Sequence, residues 1–416
     1  MRRKISQFIL WLERQRNYFI AFLCSLILIG GTIYSALERP QLQFVDEREY
    51  VALARSIIQE HSYSIDSHIP TAYRPPGYPL LLSGLIALGL DVTAMRLLNF
   101  IFLAGSVLLT YKLVKELHTV LAGVIAAGLV ACYPVLFYSA GTLVPQTTGA
   151  FILLLALTLT VRTDAKAPLR YLAAGFLWGF QILAIPSFLF TIVLFFVWPL
   201  WQARSLRALK LSFLFVFGIA IVVTPWTIRN YNVFHKLVLV STNSGVNLLL
   251  GNSEHTTVNG GASVDISQYW DIPDSFNEAQ KDSHYAARAI EYISHNKIRS
   301  LKMYFSKFLN YFSYGNDLNT REKSARLQDY VMIATYGPLI IIFLLRLLSS
   351  RIFPPTREEM FLILMFIGSG FFLAIYFTRI RFRLPYDYLI IAIVAIYLAN
   401  LADKWLDIKG REQSKG

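Results

Sequence analysis

The chain has 416 residues, of which 55% are hydrophobic and 16% charged, and its mean hydropathy is +0.48. Soluble domains carry about 25% charged residues, so the composition excludes a soluble protein of this length and indicates an integral membrane protein. The formal charge of +13 does not predict nucleic-acid binding, because the basic residues lie mostly beside apolar spans, where they orient the chain in a bilayer. Cys24 and Cys132 fall inside apolar spans, so no disulfide framework is predicted.

A basic segment precedes the first apolar span, Tyr18–Leu37, which is long enough to cross a bilayer once. No convincing small-residue cleavage site follows this span, so we expect an uncleaved signal anchor. Its basic end is expected to stay in the cytoplasm, which places the next loop outside. The basic residues are Arg2, Arg3, Lys4, Arg14 and Arg16.

Further apolar spans predict an all-α polytopic membrane protein with about ten transmembrane helices. Two short spans are separated by Ile185, Pro186 and Ser187, and counting them as two crossings keeps the later basic clusters on the inner side. The apolar residues 78–90 are too few for a crossing and predict an interfacial or re-entrant segment. The spans after the first are Thr93–Tyr111, Val120–Tyr138, Val144–Val161, Tyr171–Ala184, Phe188–Trp201, Leu209–Trp226, Tyr330–Leu347, Met360–Phe377 and Tyr388–Leu401.

The spans divide the chain into three regions. An N-terminal transmembrane region, 1–227, contains a polar first outer loop, 38–92. An extracytoplasmic region, 228–329, follows, and within it the apolar residues of 275–312 recur at near-helical spacing. This spacing predicts amphipathic helices that lie on the membrane. A C-terminal transmembrane region with a short cytoplasmic tail, 330–416, completes the chain.

The first outer loop concentrates charge beside the membrane, with Asp46, Glu47, Arg48 and Glu49 in succession. One interpretation is structural: Asp46 and Glu49 have the spacing of a capping box, in which both acids bind backbone N–H groups. The other is chemical: a carboxylate shielded from water has a raised pKa, which suits a group that accepts a proton. The spacing alone leaves both open.

The same loop ends in a stiff run, 74–79, that begins with Arg74. Prolines and a glycine turn the chain back to the bilayer, but this turn does not require an arginine. An arginine on a rigid segment suits a phosphate at the level of the lipid headgroups. Arg229, at the outer end of a span, has the same two interpretations: an anchor that reaches the interface or a phosphate ligand.

Arginines alternate just before the last span, at Arg379, Arg381 and Arg383. The predicted topology places them outside, where basic residues are depleted, so an anchoring role explains them poorly. An anionic ligand explains them better, and guanidinium groups bind phosphate oxygens two at a time. The histidines lack metal-ligand spacing, and no nucleotide-binding fingerprint occurs, so neither a metal nor a cofactor is predicted.

Four motifs in the same order resemble those of the GT-C glycosyltransferases. They are V-D-E-x-E-Y-x-x-L-A from Val45, R-P-P-G-Y-P-L-L-L from Arg74, P-W-T-I-R-N-Y-x-V-F from Pro225 with S-G-V-N-L-L-L-G-N after it, and R-F-R-L-P from Arg381. The chain looks most similar to the bacterial branch related to protein O-mannosyltransferases and the aminoarabinose transferase of lipid A, within a glycosyltransferase family 39-like group. The resemblance covers most of Tyr18 to Leu401.

This resemblance implies a GT-C-like bundle and a polyprenyl-phosphate sugar donor. It also implies a lipid, glycan or protein acceptor at the extracytoplasmic side of the bacterial inner membrane. Asp46 would be the general base of an inverting transfer, and Glu47 would assist or position. The implied substrate-binding residues are Arg48, Tyr50, Arg74, Tyr78, Arg229, Asn230, Arg379, Arg381 and Arg383.

The sequence departs from the family pattern at two positions. Gln146 stands where many relatives carry a second acid, and Ile185 precedes Pro186 where relatives often have arginine. An amide does not accept a proton as a carboxylate does. Two alternatives therefore stay open: a flippase or transporter, and a non-catalytic binder, of a lipid-linked sugar precursor.

Overall fold

A computed structural model describes residue 7 and residues 11–38, 41–65, 69–161, 167–315 and 325–413. The predicted basic residues Arg2, Arg3 and Lys4 and the end of the predicted tail, 414–416, lie outside these ranges.

Helices make up the regular structure of the described residues, which confirms the predicted all-α membrane fold. Short 3₁₀ turns occur at Pro186–Phe190, Gly261–Ser263, Ser267–Tyr269 and Ser349–Arg351. The α-helices are α1 (Arg16–Glu38), α2 (Val45–Gln59), α3 (Gly77–Ala87), α4 (Val92–Leu117), α5 (Val120–Ala131), α6 (Pro134–Ala140), α7 (Gln146–Thr160), α8 (Ala167–Ala184), α9 (Thr191–Gln202), α10 (Leu206–Phe234), α11 (Ser244–Gly251), α12 (Glu278–His295), α13 (Lys297–Asn310), α14 (Ala325–Leu348), α15 (Arg357–Ile375) and α16 (Ile380–Gln413).

Each predicted span coincides with a helix or a pair of helices. Within the described ranges, 6 helices are long and apolar enough to cross a membrane: α1, α4, α10, α14, α15 and α16. Helices α5 and α6 form a bent pair with an angle of 60°, which gives up to 7 spans. The other predicted spans coincide with α7, α8 and α9, which are shorter or less apolar. Helix α3 coincides with the predicted interfacial segment.

Contacts between helix ends show that α7, α8 and α9 run in alternate directions. At one end of the bundle, the Leu143 N–H before α7 donates to Glu47 in α2 (2.8 Å), and the end of α8 contacts the start of α3. At the other end, Trp198 in α9 donates to the Thr160 carbonyl at the end of α7 (3.2 Å), and Arg357 donates to the Trp201 carbonyl (3.1 Å). We call the first end the polar end, because it carries the loops predicted to lie outside.

Helix α16 is the most buried of the long apolar helices, with 83% of its apolar window buried inside the bundle. It packs against α5, α7, α14 and α15. Helices α8 and α10 approach closely where Gly175 faces Gly218: a Cβ on Gly175 would lie 2.2 Å from the Phe215 carbonyl oxygen. Small residues of this kind allow helix backbones to come together within a membrane, where no hydrophobic effect drives their association.

Helices α12 and α13 form the predicted amphipathic pair at the polar end. Asn277 caps α12 by accepting from the Gln280 N–H (2.9 Å), and the Gln280 side chain accepts from the Asn277 N–H (2.8 Å). One face of α13 exposes apolar side chains, whereas its other face packs against α15. The exposed residues are Ile298, Leu301, Phe305 and Leu309.

Candidate functional site

Glu47 fixes the start of α2 at the polar end. Its side chain is 1% exposed, and its carboxylate accepts from the N–H groups of Gln43 (2.7 Å) and Phe44 (3.0 Å). The other oxygen accepts from Leu143 N–H, as described above. The N–H groups of Gln43 and Phe44 lie at a helix start, where N–H groups lack intrahelical acceptors. The Leu143 N–H lies in a buried loop, where it also needs a hydrogen-bond partner. Glu47 therefore has a structural position, and the predicted assisting role in catalysis stays a prediction.

Asp46, the preceding residue, contacts arginines from two distant segments. Arg74 donates to Oδ1 (2.6 Å), and Arg381 donates to Oδ2 (2.5 Å). Arg74 also donates from Nε to Glu49 (2.5 Å). The prediction that Asp46 and Glu49 form a capping box is therefore wrong: Glu47 binds the backbone, and the two other acids bind arginines. We call Asp46, Glu49, Arg74, Arg379 and Arg381 the acid–arginine cluster.

The stiff run after Arg74 is held against the bundle, which fixes the position of its guanidinium. A Cβ on Gly77 would lie 2.6 Å from the Ala184 backbone nitrogen, so only glycine allows this approach. The Tyr63 hydroxyl donates to the carbonyls of Arg74 (2.9 Å) and Pro75 (3.2 Å). The run therefore makes the predicted turn and directs Arg74 toward Asp46. The predicted contact of Arg74 with a phosphate stays a prediction.

The electrostatic environment of Asp46 differs from the expected one. Burial raises the pKa of the carboxyl, but the charges of Arg381 and Arg74 and their hydrogen bonds outweigh burial, so the pKa lies below its usual value. The expectation of a raised pKa was wrong, because it considered shielding from water without the two guanidinium groups. In this arrangement Asp46 is an ionised carboxylate at neutral pH.

Arg379 gives the acid–arginine cluster an excess of positive charge. Its guanidinium donates to the Gly260 carbonyl (3.1 Å), and burial and the charge of Arg381 both lower its pKa. Among the described residues, the buried Nε atoms of Arg379 and Arg381 have no hydrogen-bond partner. The cluster thus contains more guanidinium groups than carboxylates, and part of its donor capacity is unused. A bound anion would balance the excess positive charge and would accept hydrogen bonds from the unused donors.

Arg229 and Asn230 lie on the other side of the first outer loop. Arg229 donates to the Thr71 carbonyl (2.8 Å) and stacks over the Trp226 ring at 4.8 Å, and Asn230 donates to the Val238 carbonyl (3.1 Å). In the described part of the chain, the hydrogen bonds of Arg229 hold loops together and do not reach Asp46. The structure therefore separates Arg229 and Asn230 from the predicted binding set.

Burial also separates three further members of the predicted binding set from the surface of the cluster: Arg383, Tyr78 and Tyr50. Arg383 and Tyr78 are fully buried, and the Tyr78 hydroxyl accepts from Asn99 (3.3 Å). Tyr50 is buried beneath Arg74, whose guanidinium lies 5.7 Å from its ring centroid, so Tyr50 supports the cluster. Arg48 is exposed on α2. Of the predicted set, Arg74, Arg379 and Arg381 are the arginines that gather around Asp46.

Two residues at this end were missed by the sequence analysis. Glu278 accepts from Thr71 Oγ1 (2.7 Å), the Ala72 N–H (2.9 Å) and Thr242 Oγ1, and so joins α12 to the first outer loop. Lys307 is buried between the C-terminal ends of α11 and α15. The Asn277 cap signals the start of α12, but no local pattern indicates the distant partners of Glu278.

Gln146, at the position where the resemblance implies a second acid, begins α7 and is buried. Its Oε1 atom has no hydrogen-bond partner among the residues that the structure describes. In the same described ranges, no group of three or more His, Cys, Asp or Glu side chains has a metal-binding arrangement.

No family model and no curated protein matches this sequence. Among solved structures, an oligosaccharyltransferase from Archaeoglobus fulgidus, tethered with an acceptor peptide that contains the NVT sequon, is similar over 93% of this chain and 50% of its own. The identity is 16% and the TM-score 0.53. ArnT from Cupriavidus metallidurans, bound to undecaprenyl phosphate, is similar over 91% of this chain and 77% of its own, with 14% identity and a TM-score of 0.42.

The chain shares its fold with this archaeal oligosaccharyltransferase and is a multi-pass helical membrane protein. The likeness to the archaeal enzyme establishes this fold and nothing more, because the identity is low and the chain spans half of that enzyme. The resemblance stated from four motifs is thereby confirmed at the level of the fold.

Proposed function

We propose that this chain is an inverting membrane glycosyltransferase that moves a sugar from a polyprenyl-phosphate donor to an acceptor at the polar end of the bundle. The observation that carries the proposal is the acid–arginine cluster, in which Asp46 contacts Arg74 and Arg381 and the positive charge is in excess. Transfer of a sugar from a sugar phosphate requires a base for the acceptor hydroxyl and positive charge that stabilises the leaving phosphate. The GT-C fold supports the same assignment.

In the proposed reaction, Asp46 accepts the proton of an acceptor hydroxyl while the hydroxyl oxygen attacks the anomeric carbon. The bond between that carbon and the phosphate oxygen breaks, and polyprenyl phosphate leaves with the electron pair. Arg379 and Arg381 stabilise the charge that develops on the phosphate. Attack opposite the leaving group inverts the anomeric configuration.

Arg381 connects donor binding to the basicity of Asp46 in this proposal. The Arg381 side chain is 43% exposed, so a donor phosphate has access to it from solvent. The Asp46 side chain is 18% exposed and is therefore more shielded. A donor phosphate that binds Arg381 weakens the pair with Asp46. Burial then raises the pKa of Asp46 with less opposition, which makes the carboxylate a better base.

The proposed orientation places the polar end outside the inner membrane of a bacterium. It rests on the basic residues at the other end of the bundle, such as Arg204, Arg351 and Arg357, because cytoplasmic ends of membrane helices are enriched in Lys and Arg. The division into regions 1–227, 228–329 and 330–416 remains a prediction.

Mass spectrometry of lipid extracts tests the proposal directly. Membranes with the wild-type chain are expected to contain a glycosylated product and less polyprenyl-phosphate sugar than membranes with Asp46→Asn, in which the donor accumulates. Asp91→Asn is the matched control, because Asp91 is an exposed cap of α4 and asparagine also caps helices. Equal glycolipid profiles for wild type and Asp46→Asn would reject Asp46 as the base. Binding of undecaprenyl phosphate without any transferred sugar would favour a non-catalytic binder, and translocation without transfer a flippase.

A further inference from the structure

Lys307 in α13 carries a buried amino group whose partners are backbone carbonyls. It is 0% exposed, and its Nζ donates to the carbonyls of Gly251 (2.8 Å) and Tyr376 (2.7 Å). Gly251 is the last residue of α11, and Tyr376 directly follows α15. The carbonyls at helix C-termini lack intrahelical partners, so two helix ends together accept hydrogen bonds from the Lys307 amino group.

The backbone around this lysine is tied to the same segment by further contacts. Thr378 donates from Oγ1 to the Lys307 carbonyl (3.0 Å), and Asn252 donates to the Ile375 carbonyl (2.9 Å). A Cβ on Gly251 would lie 1.8 Å from the Tyr376 carbonyl oxygen, so the two backbones touch. The segment 376–379 is therefore held between α11 and α13.

The held segment leads directly into the acid–arginine cluster. Arg379 ends it and donates to the Gly260 carbonyl, in the loop that follows α11, and Arg381 lies two residues further on and binds Asp46. The two carbonyls that bind Lys307 thus belong to the two segments that position Arg379. A change in their relative position moves the cations that face the carboxylate.

We propose that Lys307 is a positioning residue, which sets the placement of Arg379 and Arg381 for a lipid-linked phosphate by joining the ends of α11 and α15. The role in phosphate binding rests on the proposed function, whereas the role in fixing segment 376–381 does not. Lys307 acts through the arginines and has no contact with the substrate.

The variant Lys307→Met tests the proposal, because it keeps a long side chain and removes the N–H donors. We expect the dissociation constant for undecaprenyl phosphate, measured with the purified protein in nanodiscs, to rise about tenfold. Lys307→Gln retains an amide donor and is expected to recover part of this loss. Lys302→Met is the matched control, because Lys302 is exposed on the same helix, and it should leave the dissociation constant unchanged.

Hydrogen–deuterium exchange separates this inference from the proposed function. In Lys307→Met, the amides of Tyr376 and Phe382, which donate to the Leu373 and Arg379 carbonyls, should exchange faster than in wild type. If exchange is faster in Lys307→Met but the wild type binds no lipid phosphate, the role of Lys307 in fixing the segment is supported and the proposed function is rejected.

Unchanged exchange and an unchanged dissociation constant would overturn the inference. A smaller fraction of binding-competent protein with an unchanged dissociation constant would also overturn it, because that result indicates a loss of folding alone. The variant Thr378→Val provides a second measurement, since it removes one link of the segment and leaves Lys307 in place. We expect it to speed exchange at the same amides, and unaltered exchange there would count against the proposal.

Discussion

Arg381 and Arg383 lie two residues apart in α16, and each pairs with an aspartate, yet their environments differ completely. Arg381 is 43% exposed and binds Asp46 of a distant helix. Arg383 is 1% exposed and binds Asp387 of its own helix (2.9 Å), with further hydrogen bonds to the carbonyls of Tyr311 and Ser313. Tyr133 also donates to Asp387 (3.1 Å).

This comparison shows that pairing alone does not define a functional arginine. The pair of Arg383 and Asp387 balances its own charge inside the bundle, and neutral groups occupy most of its remaining hydrogen bonds. The pair of Arg381 and Asp46 is open to the polar end and lies beside two further arginines, Arg74 and Arg379. We therefore expect the first pair to govern stability and the second to govern transfer.

The largest expected effect is the loss of transfer in Asp46→Asn. Removal of a general base lowers the rate by about 10²–10⁴-fold. Because Glu47, not Asp46, binds the backbone at the start of α2, the variant should keep its melting temperature within a few degrees. Initial rates with a polyprenyl-phosphate sugar and thermal unfolding in detergent measure the two quantities. A variant that loses activity only in proportion to its folded fraction would contradict a catalytic role.

The buried pair should show the opposite behaviour. Asp387→Leu leaves the Arg383 cation unpaired, which costs about 3–5 kcal/mol of unfolding free energy for a buried pair. The double variant Arg383→Met with Asp387→Leu should recover most of this loss, because apolar replacements of a whole buried pair are often neutral. Thermal unfolding of wild type, single variants and double variant gives the comparison.

The exposed pair supplies the control for that double variant. Arg381→Met combined with Asp46→Leu should not recover transfer, since both groups take part in the proposed reaction. Recovered transfer in this double variant would contradict the distinction between the pairs. A double variant at positions 383 and 387 that is no more stable than Asp387→Leu would contradict it as well.

The sequence predicted the fold well because hydropathy and charge determine it directly. Each apolar span coincides with a helix or a pair of helices, although within the described ranges 6 helices, or up to 7 spans, are long and apolar enough to cross a membrane, where about ten were predicted. The candidate site was indicated in part: Asp46 and Arg74 stood out in a loop that concentrates charge beside the membrane, and Arg381 stood out because basic residues are depleted on the predicted outer side. The spacing indicated Asp46 and Glu49 as backbone partners at the start of α2, whereas Glu47 occupies that position, because the register of a helix start determines which acid reaches the backbone.

Arg383 lies away from the acid–arginine cluster for a geometric reason. The alternation of Arg379, Arg381 and Arg383 predicts one common site, but α16 begins at Ile380. Residues two apart on a helix are rotated by about 200°, so Arg381 and Arg383 face opposite directions. Lys307 and Glu278 escaped prediction because their partners are distant groups, many of them in the backbone, which leave no pattern in the sequence.

A smaller effect is expected for Arg381→Gln, which removes one of the guanidinium groups at Asp46. Burial then raises the pKa of the carboxyl against weaker opposition, so the acid limb of kcat/KM should move to higher pH than in wild type. The affinity for undecaprenyl phosphate should fall about tenfold, as for the loss of one charge-assisted hydrogen bond. Arg55→Gln, exposed on α2, is the matched control. An acid limb that stays in place would show that Arg381 does not set the pKa of Asp46.

The smallest effect concerns Lys307, which is buried like Arg383 but faces carbonyls where Arg383 faces a carboxylate. Burial lowers its pKa from 10.5 to about 7. Between these values the unfolded chain binds a proton that the folded chain does not, so the contribution of Lys307 to stability rises with pH. The melting temperature of wild type relative to Lys307→Met should therefore increase from pH 7 to pH 9, on the order of a few degrees. Lys302→Met should show no such trend. A difference in melting temperature between wild type and Lys307→Met that is constant or falls with pH would mean that the buried amine keeps its proton, as the guanidinium of Arg383 does.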